Sequence, residues 1–200
     1  MSGATVADKV EKVEKLERLA QELSTQLSLR EERIVFAESC TCGMLAAVLG
    51  RISGISNYLC GSAVTYRADS KHRWLGVNKK TIKRRTTESH EVASEMAFGI
   101  IKKTPEASWA ISVVGHVGPD APTEKDGVIY ACIVRRTKKG KLKTKETIEH
   151  RLSSNKRRLR QNEAVEVIFS HLTRLLLKKS GQESHNVGIN GKKKTKKISY

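Results

Sequence analysis

The sequence predicts an α/β domain in which helices cover both faces of a mixed sheet, a three-layer α/β/α arrangement. Three observations carry that prediction. Short, continuously apolar runs, Ile34-Val35-Phe36-Ala37 and Ser108-Trp109-Ala110-Ile111-Ser112-Val113-Val114, have the length and composition of buried strands. Segments with apolar residues three and four positions apart separate them, as helices do. A late pair of segments, residues 127–136 and 141–151 around Lys139-Gly140, reads as an antiparallel hairpin beside otherwise parallel strands.

Each element follows in order. Residues 6–29 set Val10, Val13, Leu16, Leu19, Ala20, Leu23 and Leu27 on one stripe, a helix that covers a sheet; its charged beginning, residues 1–16, reads as an extension in solvent. The pattern spans too few heptads for a coiled coil. The strand at 34–37 runs into a small-residue helix over 43–49, and residues 58–66 form a second strand after a loop. Beyond Lys71, Trp74-Leu75-Gly76-Val77 reads as a short helix stopped by glycine. Thr87-Glu88-Ser89 supplies N-cap chemistry for a helix reaching about Lys103. The strand at 108–114 opens into Gly115-His116-Val117-Gly118-Pro119-Asp120, a loop of backbone-permissive residues. A helix over 163–179, with Ala164, Val167, Ile168, Leu172, Leu175 and Leu176 on its apolar side, closes a domain placed at 17–179. Residues 180–200 are polar and rich in Gly and Lys, and are expected to be disordered.

Among the 200 residues, 38 Lys and Arg outweigh 21 Asp and Glu, a formal net charge of +17. The excess is uneven: residues 135–160 hold 12 Lys and Arg against Glu146 and Glu149, and residues 192–197 add five lysines. Such charge favours anionic partners, whether a phosphorylated small molecule, nucleic acid or a membrane surface, without choosing among them. A solvated face or tail is the commoner reading of a charge run. No aromatic residues interleave the basic runs, so sequence-specific nucleic-acid recognition is not indicated. The four cysteines are scattered, and Cys40-Thr41-Cys42 lacks the second close pair a zinc site needs, so reduced thiols and no metal are expected. The Glu- and Lys-rich start is unlike a signal peptide, and no apolar run approaches membrane-span length; a cytoplasmic protein is expected.

The chemistry concentrates after the first strand. Ser39 stands on a strand-to-helix turn among small residues, where backbone N–H groups can close on an oxyanion. A serine there is a nucleophile only if something takes its proton. No histidine is near in sequence, but Lys71, if partly buried, can serve. Taken singly, these residues have plainer readings: Ser39 as a helix N-cap, Lys71 as one lysine among many, and Tyr66 as packing at a strand end. Glu38 reads either as a solvated carboxylate or as an orienting group beside Ser39.

Several ordered blocks add to this. Ala37-Glu38-Ser39-Cys40-Thr41-Cys42-Gly43 is similar to A-E-S-C-T-G-G, and Tyr66-Arg67-Ala68-Asp69-Ser70-Lys71 with Leu75-Gly76-Val77 to Y-S-N-E-A-K and L-G-V. Thr87-Glu88-Ser89-His90-Glu91-Val92-Ala93 parallels V-S-E-E-V-A, Gly115-His116-Val117-Gly118-Pro119 parallels G-I-A-G-P, and Lys125-Asp126-Gly127-Val128 echoes K-P-V-G-x-V. With these blocks the chain resembles the CinA carboxy-terminal domain family, whose stand-alone members are nicotinamide-nucleotide amidohydrolases (NMN deamidases). The resemblance implies the three-layer α/β fold and amide hydrolysis with Ser39 as nucleophile, Lys71 as base and Tyr66 supporting them through its hydroxyl. It implies oxyanion and substrate contacts from Thr41, Cys42, Gly43, Gly115, His116 and Gly118, a phosphate contact from Arg160, no cofactor, and a homo-oligomer.

The resemblance breaks at four places. Cys42 stands where a second glycine is usual, and Val114 where a Thr or Ser is thought to sit in the active site. His116 replaces an Ile, and Ser154-Asn155-Lys156 replaces G-D-R. The expected function is hydrolysis of the carboxamide of NMN or a related phosphorylated amide. The alternative is a catalytically silent domain that binds a nucleotide or nucleic acid through its basic surface.

Overall fold

The computed structural model describes residues 6–118 and 121–180; of the tail expected to be disordered, Ser180 ends the last helix and residues 181–200 lie outside the described residues. Five strands, β1 (Ile34–Glu38), β2 (Leu59–Val64), β3 (Trp109–Gly115), β4 (Val128–Arg136) and β5 (Leu142–Arg151), form one sheet of order β2-β1-β3-β4-β5. β1 pairs in parallel with both β2 and β3, and β4 and β5 then add antiparallel. The sheet is mixed, as its apolar runs and late hairpin indicate.

Alternation along the strands divides the core in two. Phe36, Ile111 and Ile133 face one side and meet Leu23 and Leu27 of α1 (Val6–Arg30), Leu45 of α2 (Met44–Leu49) and Phe169 and Leu172 of α6 (Arg157–Ser180). Val35, Ala37, Ala110 and Val134 face the other side, beneath Met96, Ala97 and Ile101 of α5 (His90–Lys103). The outer strands explain their composition: β5 is largely exposed on one face and carries the alternating lysines, while β2 is half-buried throughout.

Some elements differ from the sequence reading. The short helix before Gly76 begins earlier, as α3 (Ala68–Leu75), so that Lys71 lies inside it. Gly76 does stop it, in the left-handed conformation (φ 74°). A further helix, α4 (Lys79–Arg85), gave no apolar periodicity to read because only Thr81 in it is buried and only Ile82 packs, half-buried, against the core; Asn78 caps it by accepting from Lys80 N–H at 2.8 Å. The second strand is shorter than 58–66, and α6 starts at Arg157 rather than 163. Ser89 caps α5 through Val92 N–H, as its position before the helix suggests.

One feature of this topology places the site. The chain leaves β1 for β2 on one side, then crosses to β3 on the other. The carboxyl ends of three parallel neighbours therefore open at one rim, with that of β1 in the middle, the usual crevice of open α/β sheets.

Candidate active site

Ser39 is the first residue after β1. Its N–H continues the pairing with β3 by donating to Val113 C=O at 3.0 Å, while Thr65 N–H on the opposite flank donates to Glu38 C=O at 2.8 Å. The turn is therefore pinned on both sides. Cys42 N–H closes it on Ser39 C=O at 3.0 Å, and Gln161 of α6 holds Cys40 C=O at 2.9 Å.

The pinned hydroxyl faces Lys71. Nζ donates to Ser39 Oγ at 2.9 Å and to Thr65 C=O at 2.7 Å, and the Lys71 side chain has no exposed surface. Ser39 is thus not the N-cap of α2. Burial holds the Lys71 ammonium below the usual lysine range, partly countered by Glu88 and by the Cys40 thiol nearby. Among the described residues no carboxylate pairs with Lys71. Its charged form is accordingly poorly compensated.

Glu38 is not a solvated carboxylate; it orients polar groups of the turn beside Ser39, the Thr41 hydroxyl among them. It is fully buried, accepting from the Thr41 hydroxyl at 2.7 Å, the Ser62 hydroxyl at 2.9 Å, and the N–H groups of Leu45 and Ala46 at 3.1 Å. It caps the start of α2 from outside the helix and so shapes the turn that follows Ser39. Cys42 adopts φ 53°, so the turn accepts its Cβ in a left-handed conformation and turns the thiol to solvent. Cys40 is the opposite case: burial pushes its thiol up to about 12, leaving it an inert neighbour of Ser39.

A cavity of about 170 Å³ opens above Ser39, lined also by Cys40, Tyr66, Glu88, residues 115–118 and Arg157. Gly115 and Gly118 are therefore rim residues, and His116 faces inward, with Nε2 3.7 Å from Glu88 Oε2. Gly118 has a left-handed φ of 69°, and an added Cβ would stand 2.8 Å from Arg160 Nη1, so conformation first and space second favour glycine there.

Three expectations change. Tyr66 lines the cleft, but its hydroxyl accepts from Arg157 Nη2 at 2.7 Å and touches neither Ser39 nor Lys71. Arg160 does not face the cleft as a phosphate contact: it is buried and held by Asp126 through two bonds of 2.7 and 2.6 Å. Val114 is fully buried in the α5-side core rather than in the cleft, so its missing hydroxyl is not a gap in this wall. Four lining residues escaped the sequence reading as site residues: Cys40 and Val117, and two charged ones, Glu88 and Arg157. Glu88 read as helix-capping chemistry, and Arg157 lay hidden among neighbouring cations; only Ser154, whose hydroxyl accepts from Lys156 N–H at 3.1 Å, marks the earlier helix start.

Residues 16–176 match the family model described as the CinA C-terminal domain. A CinA-like protein of Prochlorococcus marinus (strain MIT 9301) is 35% identical over 161 residues, covering 79% of this chain and 37% of that protein. A CinA-like protein of Petrotoga mobilis is 46% identical over 93 residues, 46% of this chain and 23% of its own. The chain thus spans little more than a third, at most, of these curated relatives. Among solved structures, a competence or damage-inducible protein from Enterobacter asburiae superimposes with TM-score 0.73 at 25% identity, covering 80% of this chain and 98% of that one. The competence/damage inducible protein CihA from Agrobacterium tumefaciens gives TM-score 0.73 at 28% identity, covering 80% and 95%.

Proposed function

The chain belongs to the CinA C-terminal domain family, and on that footing we propose that it hydrolyses the carboxamide of nicotinamide mononucleotide to nicotinic acid mononucleotide and ammonia. One observation carries the reading: a fully buried lysine amine 2.9 Å from the hydroxyl of a serine that lines a cleft. A buried lysine whose charge is opposed by its surroundings is a base, and a serine within its reach is the group it activates.

The chemistry follows from those positions. Once Lys71 is neutral, its lone pair accepts the Ser39 proton while an N–H stays on Thr65 C=O. Ser39 Oγ attacks the carboxamide carbon, and the amide oxygen takes the charge. Backbone N–H groups of the turn after Ser39 would take that oxygen; the N–H of Cys42 is already engaged by Ser39 C=O. Lys71 returns the proton to the departing nitrogen, releasing ammonia and leaving an ester on Ser39. Water, deprotonated by the same amine, hydrolyses the ester and restores the hydroxyl. None of these steps calls on a metal or organic cofactor.

Ammonia release from NMN by the full chain, beside Ser39→Ala and Lys71→Ala, tests the reading. Turnover lost in both variants is the expected result; turnover that persists in Ser39→Ala overturns the mechanism.

A second reading rests on a different observation. The outer face of α4 presents Lys79, Lys80, Lys83 and Arg84, exposed and without an ion-pair partner among the described residues. A silent domain binding nucleic acid through such a surface would show no ammonia release and an affinity that falls steeply with salt. Cytoplasmic residence and a homo-oligomer stay part of the proposal; among the described residues no helix is long and apolar enough to cross a membrane.

A further inference from the structure

The cleft that holds Ser39 also holds an arginine that meets no carboxylate among the described residues. Arg157 opens α6, and its guanidinium bridges two loops: Nη1 donates to Gly118 C=O at 2.6 Å and Nη2 to the Tyr66 hydroxyl at 2.7 Å. Tyr66 follows β2 and Gly118 follows β3, while Ser39 follows β1 between them. The guanidinium therefore spans the mouth over the Ser39 strand end, and both of its acceptors are neutral.

Arg30, Arg136 and Arg151 are likewise held by neutral carbonyls, but of these four only Arg157 lines the cleft; three other arginines around α6 and the sheet are matched to charge. Arg160 has Asp126, Arg135 has Glu32 and Arg174 has Glu146. Arg157 has no such partner among the described residues. The carboxylates close by are otherwise engaged. Asp126 is gripped by Arg160, and Glu88, within the cleft, takes the Thr87 hydroxyl at 2.5 Å and faces His116. A planar cation ordered across a cleft mouth by neutral acceptors is poised to exchange them for an anion, since charge-assisted bonds are stronger and the guanidinium fork fits two oxygens of one phosphate.

We infer that Arg157 is the anion-binding residue of the Ser39 cleft, and that its ligand is a phosphate monoester carried on the molecule whose amide Ser39 attacks. The second half rests on the amidohydrolase reading; the first does not. Binding replaces the Tyr66 and Gly118 bonds with two bonds to phosphate oxygens, which frees the Tyr66 hydroxyl. The role expected of Arg160 thus falls to a residue one helical turn earlier, which faces the opening instead of Asp126.

The test uses the full chain with ribose 5-phosphate as probe, binding being measured by calorimetry for the wild type, Arg157→Gln and Arg157→Lys. Ammonia release from NMN is measured separately. Arg157→Gln should weaken ribose 5-phosphate binding about tenfold or more, with Arg157→Lys between the two and unphosphorylated ribose bound by none. Arg157 is exposed, so matched melting curves are expected; should the Gln variant melt early, the Lys variant carries the same comparison. Arg157-dependent binding without NMN turnover upholds the anion site and removes the NMN reading. Ribose 5-phosphate that binds Arg157→Gln as well as the wild type, or binds neither, overturns the anion site whatever the turnover.

Discussion

Lys71 Nζ lies 2.9 Å from Ser39 Oγ across 32 residues of chain. The contact is built by topology: β1 and β2 are parallel neighbours that end together, and α3 begins soon enough after β2 to turn Lys71 back beneath the Ser39 turn. Removing either group should abolish amide hydrolysis, by on the order of a thousandfold or more, because the two act as a unit and either loss removes the same step. Lys71→Arg should be as inactive as Lys71→Ala, since a guanidinium does not give up its proton. Ammonia release by the three single variants checks this; an active Lys71→Arg would show that lysine is not the base.

The same lysine makes stability depend on pH. Burial lowers its pKa in the folded state, so the unfolded chain binds the proton more tightly. The cost to folding is fully present below the folded pKa and fades as pH rises from there toward 10.5. Lys71→Met should therefore gain stability relative to the wild type most at neutral pH, with the gap closing as pH rises. Hydrolysis by the wild type should climb over the same rise, as the neutral amine accumulates. Denaturant unfolding of both proteins at neutral and alkaline pH reads the first effect; a gap that widens with pH contradicts it.

Glu38 tests how the turn after Ser39 is held. Glu38→Ala strands two buried or half-buried hydroxyls and two backbone N–H groups, which should cost roughly 3 kcal/mol or more. Glu38→Gln keeps one acceptor oxygen, but its amide nitrogen faces donors, so its cost should be intermediate. Both should lose activity although neither touches the nucleophile. Chemical denaturation with parallel rate measurements decides; a Glu38→Ala protein of wild-type stability would mean that the carboxylate is not what caps α2.

Much of this was legible in the sequence because it is local. The strand ending near Glu38, the small-residue turn, and the glycines after β3 are set by neighbouring residues, so the ends of β1 and β3 could be read to within a residue, whereas β2 stops two residues short of its sequence reading. What was not legible depends on partners distant in sequence. Arg160 is a cleft cation or a structural one according to whether Asp126, 34 residues away, reaches it. Val114 changes meaning with the side of β3 it occupies, which alternation alone does not assign without knowing where α5 packs. Arg157 could not be told from its basic neighbours until Tyr66 and Gly118 came to meet it. Glu38 carries four donors from three separate segments, a convergence that no window of sequence contains.

Two glycines separate the need for a backbone angle from the need for space. Gly140, in the hairpin turn, has φ 76° and nothing within 4 Å of where a Cβ would be, so Gly140→Ala should cost about 1 kcal/mol from conformation alone. At Gly115 an added Cβ would stand 2.5 Å from Val128 C=O and 2.7 Å from Ile129 Cα, both backbone of the adjoining strand. Relief there requires β3 and β4 to part at their ends, just where His116 N–H holds Val128 C=O at 2.9 Å. Gly115→Ala should therefore cost some 1–3 kcal/mol beyond the Gly140→Ala value, and it should also weaken substrate binding by moving His116 and Gly118 at the cleft rim. Thermal unfolding of the two variants side by side measures the difference. Equal losses would mean that the close approach of β4 to Gly115 does not shape this end of the cleft.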